Sequence, residues 1–221
     1  MIGSIRAYDF GAGVRRLATR FAALAVVLGA GLATSAVRAD DVLAPDALVK
    51  KVSNDVLDAI RADKSLQTGD PAKLQSLVDT KVMPVVDFER MTQLSVGRPW
   101  RGATPEQRDA LAKEFRTLLI RTYSGAMAQV RDHHVEMKPL RAAPTDTEVV
   151  VRSQIVSSSS DPIQLDYRLE KKPEGWRIFD VNVLGVWLIE TYRSQFKTEI
   201  EQGGIDGLIK SLAQRNATNA K

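Results

Sequence analysis

The spacing of apolar positions along the chain changes part-way, from a helical period to strict alternation, and that change predicts the architecture. Across residues 45–63, Val49, Val52, Val56 and Ile60 recur at helical spacing, with Leu48 and Leu57 beside them. Thr68-Gly69 breaks the stripe. Asp70 then reads as an N-cap with Pro71 at the first helical position, and Leu74, Leu77 and Val78 turn inward. Pro84 stops or kinks that helix. Asp87 caps a short third helix that carries Phe88, Met91 and Leu94 and ends near Gly97. Thr104-Pro105-Glu106-Gln107 forms a capping box with proline at the first position. Behind it Leu111, Phe115, Leu118, Tyr123, Met127 and Val130 hold one stripe, which Leu119 and Ala126 widen. A helix of that length, roughly 40 Å, can wall a domain.

The second half alternates. Residues 135–140 predict a first strand and residues 148–156 a second, with Val149, Val151, Ser153 and Ile155 on one face. The serine run at 157–160 with Asp161-Pro162 is a turn. Ile163, Leu165, Tyr167 and Leu169 then alternate with polar neighbours, Lys171-Lys172-Pro173-Glu174-Gly175 turns again, and residues 176–183 make the last long strand. Strands joined by short turns form an antiparallel meander, because parallel pairs need long crossovers. After Gly185 the helical period returns through Leu188, Tyr192, Phe196 and Ile200, stops at Gly203-Gly204, and resumes with Ile205, Leu208, Ile209 and Leu212. The polar residues 216–221 are expected to be a disordered tail. With no internal repeat or linker, residues 40–215 predict one α+β domain: a helical layer packed on a curved, mainly four-stranded antiparallel sheet.

Composition adds one segment to this picture. Of 221 residues, 44% are hydrophobic and 26% charged, as in an ordinary globular protein with a sizeable core. The formal charge of +4 comes from the front of the chain: residues 1–39 hold five arginines against Asp9 alone, which leaves 26 Lys+Arg against 26 Asp+Glu. The neutral remainder gives no electrostatic argument for nucleic acid, and its basic residues lack interleaved aromatics. Residues 1–39 read instead as a cleaved signal peptide. Arg15, Arg16 and Arg20 precede an apolar run over residues 21–32, and Val37-Arg38-Ala39 supplies small residues at a cleavage site. That run is shorter than the roughly 20 apolar residues of a spanning helix. No cofactor motif follows Arg15-Arg16, so export unfolded is expected. The mature protein is then periplasmic and soluble. With no cysteine it is stable without disulfides and has no site for a lipoprotein anchor.

Motifs for chemistry are absent. No serine sits in a Gly-x-Ser-x-Gly turn, and the chain has no phosphate loop, dinucleotide fingerprint or calcium loop. His133 and His134 are adjacent, point apart on any regular element and have no second ligand pair, so no metal site is expected; both read as a solvated helix end or strand start. Asp180, between apolar neighbours on the last strand, is either a hydrogen-bonded structural carboxylate or a general base in a cavity, with Tyr167 or Tyr123 as its acid. Arg98, Trp100 and Arg101 are either a loop tied down by guanidinium hydrogen bonds over a packed indole, or a contact for an anionic headgroup or partner.

A set of short patterns carries a resemblance. Phe88-x-x-Met91-Thr92 is followed by Leu94-x-x-Gly97-Arg98-x-Trp100-Arg101, Thr104-x-Glu106-Gln107-Arg108, Phe115, Leu118-Leu119 and Thr122-Tyr123. Downstream come Trp176-Arg177-Ile178-x-Asp180-Val181, Gly185-Val186-x-Leu188 and Tyr192-Arg193-x-x-Phe196. In order and spacing the chain resembles the MlaC, or toluene-tolerance, family of periplasmic phospholipid-binding proteins. Trp187 departs from it, standing where the family often has a small polar residue that leaves the cavity mouth wider.

The resemblance implies an apolar cavity between helices and sheet, phospholipid as cargo with no cofactor, and no enzymatic activity. It also implies a monomeric shuttle between an outer-membrane lipoprotein–porin complex and the substrate-binding subunit of an inner-membrane ABC transporter. A hopanoid-type lipid is an alternative cargo. The expected tail contacts are Phe88, Met91, Leu94, Phe115, Leu118, Leu119, Tyr123, Met127, Leu165, Tyr167, Trp187, Leu188, Tyr192 and Phe196, with Arg98 and Arg101 for a headgroup or partner. The competing class is a cavity enzyme of isomerase or hydrolase type built on Asp180.

Overall fold

Helix starts follow from short-range chemistry. The structure, a computed structural model, describes residues 43–218 apart from 129, 131 and 159; the expected leader at 1–39 lies outside them. Helix α1 (Pro45–Ala62) opens on a proline, and α2 (Lys64–Gln67) is a single turn capped by Asp63. Helix α3 (Pro71–Leu77) begins where Asp70 accepts the N–H groups of Ala72 and Lys73. Pro84 does not stop α3 abruptly: a π turn (Val78–Val82) and a 3₁₀ turn (Met83–Val85) carry the chain away in stages. Helix α4 (Phe88–Val96) is capped by Asp87 and ends at Gly97, whose φ of 74° favours a residue without a Cβ. A 3₁₀ turn (Arg98–Gly102) then leads to α5 (Pro105–Ala128).

The capping box of α5 closes in both directions. The Gln107 N–H donates to Thr104 Oγ1 at 3.2 Å, and the Thr104 N–H donates to Gln107 Oε1 at 3.0 Å. Thr104→Ala is expected to cost about 1 kcal/mol, read as a lower urea midpoint at unchanged slope.

The sheet is a five-stranded antiparallel meander in sequence order: β1 (His134–Met137), β2 (Glu148–Val156), β3 (Ile163–Lys172), β4 (Gly175–Val183) and β5 (Val186–Trp187). The fifth strand goes beyond the four expected. It exists because Leu184 and Gly185, both at positive φ, make a tight hairpin that returns Val186 against Val183. Register sorts the faces. Val151 lies opposite Tyr167 and Tyr167 opposite Val181; Ser153, Leu165, Val183 and Val186 form the next row. This inner face packs on α1, where Leu48 and Val49 meet Val149, Val151, Leu169 and Ile178. A bulge in β4 leaves Phe179 unpaired between Ile178 and Asp180, and Phe179 joins the cluster formed with α4, α5 and α6.

Helix α6 (Leu188–Thr218) is two helices joined at Gly204, whose φ is 65°. Its second part packs Leu208 and Leu212 into the same cluster as Phe115 and Phe196. The disordered tail expected from residue 216 is corrected for its first three positions: α6 runs through Thr218, and buried Asn216 donates to the Glu114 carbonyl at 3.0 Å and to its carboxylate at 2.7 Å.

Candidate functional site

Three apolar clusters fill the domain: one of α4, α5, α6 and Phe179, one of α1 and the inner sheet face, and one of α1, α2, α3, Val78 and Ile120. The first is centred on a group of aromatic rings. Phe115 stands 4.8 Å from Tyr192, 5.1 Å from Phe196 and 5.6 Å from Phe88, ring centre to ring centre. Phe88, Met91, Phe115, Leu118, Leu188, Tyr192 and Phe196 are all buried there. The structure thus buries half of the expected tail contacts in this one cluster.

Between the clusters the side chains are apolar yet only partly covered. Met83 borders the first and third clusters, while Val86 and Val181 border the first and second. Leu119 and Tyr123 of α5 border the first, Met127 and Val56 the third, and Val52 and Tyr167 the second. Tyr167 is the most informative of these. Burial pushes its phenol pKa up, against the lowering effect of hydrogen bonds with Ser53 and Ser153, yet the residue keeps accessible surface. Of the expected tail contacts, Leu119, Tyr123, Met127 and Tyr167 are among these partly covered residues; Val52, Val56, Met83, Val86 and Val181 share that setting and were not among the expected contacts. Their helical or alternating spacing was visible, but nothing local marked them off from core.

Other expected contacts fall elsewhere. Leu165 is half-buried on the inner face, one row beyond Tyr167. Leu94 borders the aromatic core and also lines a polar cleft. Trp187 is corrected: opposite Asn182 in register, it lies on the other face of the sheet under the Arg168 guanidinium, 3.9 Å from its ring centre. There it does not narrow an inner mouth.

Asp180 is the structural carboxylate of the two readings. Fully buried, it accepts the Val181 N–H at 2.9 Å, the Ile189 N–H at the start of α6 at 3.1 Å, and Arg168 Nη1 at 2.9 Å. Arg168 also reaches Glu190 at 3.2 Å. Burial pushes the Asp180 carboxyl up, and the two N–H groups and Arg168 pull it partly back. Tyr167 lies opposite Val181 on the inner face, so it is no acid partner for Asp180.

Arg98 and Arg101 line a cleft of about 560 Å³ with Arg90, Arg193, Lys172 and Trp100. Trp100 is packed beneath, as one reading expected, but what ties the turn down is Arg108, which donates to the Trp100 carbonyl at 3.2 Å and lies over its ring. Among the described residues Arg98 and Arg101 have no hydrogen-bond or ionic partner, whereas Arg90 pairs with Glu148 and Glu170, and Lys172 with Asp87 and Glu170. Burial raises the Asp87 carboxyl, but Lys172 and the Arg90 N–H outweigh it and hold the pKa low. His133 is buried rather than solvated, and its carbonyl accepts from Arg61, while His134 is exposed. Among the described residues no three His, Cys, Asp or Glu side chains are grouped to hold a metal, and no helix is long and apolar enough to cross a membrane.

The family model for the MlaC protein matches residues 50–214, most of the chain. The chain belongs to the MlaC family. Two curated relatives align at low identity. The intermembrane phospholipid transport system binding protein MlaC of Haemophilus influenzae is 24% identical over 197 residues, which are 88% of this chain and 91% of that protein. The toluene tolerance protein ttg2D of Pseudomonas putida is 22% identical over 163 residues, 73% of this chain and 75% of that one. Among solved structures, a phospholipid-binding protein from Ralstonia solanacearum in complex with a phospholipid superposes with a TM-score of 0.77 at 48% identity. The match covers 80% of this chain and 98% of that one.

Proposed function

We propose that this chain is a periplasmic lipid carrier that holds phospholipid acyl tails in a hollow walled by α1, the Met83–Val85 turn, α5 and the inner sheet face. It passes that cargo between an outer-membrane lipoprotein–porin complex and the substrate-binding subunit of an inner-membrane ABC transporter. The observation that supports this reading is the set of apolar side chains left partly covered between three buried clusters: Met83, Val86 and Val181 each border two of them, and Tyr167 on the inner sheet face stays partly exposed. The phospholipid in the R. solanacearum relative and the names of the curated relatives support the same reading.

Energetics account for the need of a carrier. Exposing apolar chain to water costs about 0.8 kcal/mol per methylene, so two tails of about fifteen methylenes cost on the order of 20 kcal/mol. Keeping both tails dry requires apolar walls and no chemistry, in accord with the structural role of Asp180. The test is to purify the mature protein, extract it with organic solvent and identify the extract by mass spectrometry. About one phospholipid per protein is expected; a hopanoid would change the cargo, and an empty protein would contradict the reading.

In the same account the unpartnered Arg98 and Arg101 contact an anionic surface of a protein partner. Glu170 and Lys172 place their cleft on the sheet face opposite Leu169 and Tyr167, away from the tail-binding walls. The double substitution Arg98→Glu/Arg101→Glu is expected to weaken partner binding about tenfold or more, mainly through slower association, and to leave the lipid content unchanged. Biolayer interferometry against each partner domain measures this.

A further inference from the structure

The cleft beside α4 neutralises most of its own carboxylates from within. Lys172 holds Asp87 at 2.8 Å and Glu170 at 2.9 Å, and Arg90 also pairs with Glu170. Three arginines of the same cleft have no ionic partner among the described residues: Arg98 and Arg101 on the 3₁₀ turn, and Arg193 on α6. Glu89 is the one carboxylate of the cleft without a cation, so the unpaired groups leave an excess of positive charge. The arginines also stand on ordered backbone. The Trp100 N–H donates to the Gly97 carbonyl at 3.1 Å, the Ala103 N–H and Arg108 both donate to the Trp100 carbonyl at 3.2 Å, and the indole is buried beneath the turn. Arg193 Nε donates to the Leu94 carbonyl at 2.8 Å, which orients the guanidinium and leaves its Nη groups without a partner among the described residues. Cations held in this way lose little freedom when a ligand binds.

Spacing and volume narrow the occupant. Arg98 and Arg101 are three residues apart on a 3₁₀ turn, where side chains at i and i+3 eclipse and the backbone rises about 2 Å per residue. Their stems therefore leave one side of the turn about 6 Å apart. Residues i and i+2 of an extended chain share a face at about 6.6 Å, a close match. A helix offers similar spacing at i and i+4, and volume decides between the two. Two turns of a helix about 10 Å across occupy roughly 850 Å³, more than the 560 Å³ of the cleft. Extended chain needs roughly 160 Å³ per residue, so the cleft seats about three residues, the length of one i, i+2 pair. We propose that this cleft seats an extended segment of a partner protein with acidic side chains at alternate positions, Arg98 and Arg101 each taking one carboxylate and Arg193 adding a third cation from α6. The proposal rests on the carrier reading, which hands cargo to protein partners, and adds the form and charge pattern of the segment that docks. The headgroup of the bound lipid is a poorer occupant, because the cleft lies on the sheet face opposite Leu169 and Tyr167.

The test titrates the isotope-labelled mature protein, as purified and at low salt, with two end-blocked peptides of equal charge. One is Ser-Glu-Ser-Glu-Ser; the other, Ser-Glu-Glu-Ser-Ser, sends its carboxylates to opposite sides of an extended chain. The first is expected to bind about threefold tighter or better, with amide NMR shifts over residues 97–102 and at Arg193. Arg98→Gln/Arg101→Gln is expected to weaken it roughly tenfold and to erase the preference for alternate spacing, and Arg193→Gln to weaken it about threefold. A cooperative thermal transition in each variant separates lost binding from lost fold, and the two peptides on the parent protein decide even where a variant fails to fold. Equal binding of the two peptides, or shifts confined to other surfaces, would overturn the proposal. So would phosphatidylglycerol vesicles that shift the same residues when neither peptide does, which would assign the arginines to lipid headgroups. Lipid in the purified protein without peptide binding would overturn the docking segment and leave the carrier reading standing. Peptide binding by a protein that carries no lipid would do the reverse.

Discussion

Met127→Arg is expected to purify folded but nearly free of lipid, with less than about a tenth of the parent's phospholipid content. Met127 sits one turn beyond Tyr123 on α5 and, like Val56 of α1, is a partly covered residue bordering the third cluster. A guanidinium there has water and its own flexible stem in the empty protein, so it can reach solvent. Once acyl chains fill the space the charge loses both, and an unpaired buried charge costs several kcal/mol. Each 1.4 kcal/mol lowers occupancy tenfold. Leu119→Arg, two turns earlier on the same helix, is expected to behave similarly. Phosphorus analysis gives the loading, and a cooperative thermal transition in the empty variant reports the fold. If both variants unfold instead, α5 presents solid core at these positions; if both retain lipid, the tails lie elsewhere.

Asp180→Ala is expected to destabilise the domain by about 3 kcal/mol or more. The substitution strands the N–H groups of Val181 and Ile189, and leaves Arg168 with the more exposed Glu190 and the Trp187 ring. Because α6 begins at Leu188, the loss falls on the junction between sheet and helix. The folded pKa of Asp180 lies above the usual carboxylate value, so its proton-linked contribution is full below about pH 3.9 and is lost as pH rises through the folded pKa. The variant should lack that part of the acid limb of a stability–pH curve. Urea denaturation measures the main effect, and a change below about 1 kcal/mol would show that the network is dispensable.

Local signals made most of the elements legible. The Thr104 box, the Asp70 and Asp87 caps and the alternation of β2 and β3 each rest on neighbours within four residues, and each stands where the pattern put it. What was illegible depends on distant partners. Sequence alone leaves Asp180 two readings, a structural carboxylate or a general base, and the partners that bear on the choice, Arg168 and the start of α6, lie far from it along the chain or across a turn. Trp187 was expected at the cavity mouth, and leucine at position 184 gives no turn signal against that; the positive φ there folds back β5 and sends the indole to the opposite face. Polar Asn216 was read as frayed because its partner Glu114 is remote in sequence. The tail contacts divided for a related reason. Phe115 and Tyr123 sit on one stripe of one helix, but only the packing of α4 and α6 over Phe115 makes it core while Tyr123 stays partly uncovered. Apolar periodicity marks what avoids water, and gives the same mark to a side chain against protein and to one against a lipid tail.

The most direct measurement is a crystal structure of the mature protein loaded with a phospholipid brominated along its acyl chains. Anomalous peaks are predicted between α1, α5 and the inner sheet face, within contact of Val56, Tyr123 and Tyr167. Peaks confined to the arginine-lined cleft, or side chains closed solidly through the predicted space with no bromine in it, would contradict the account.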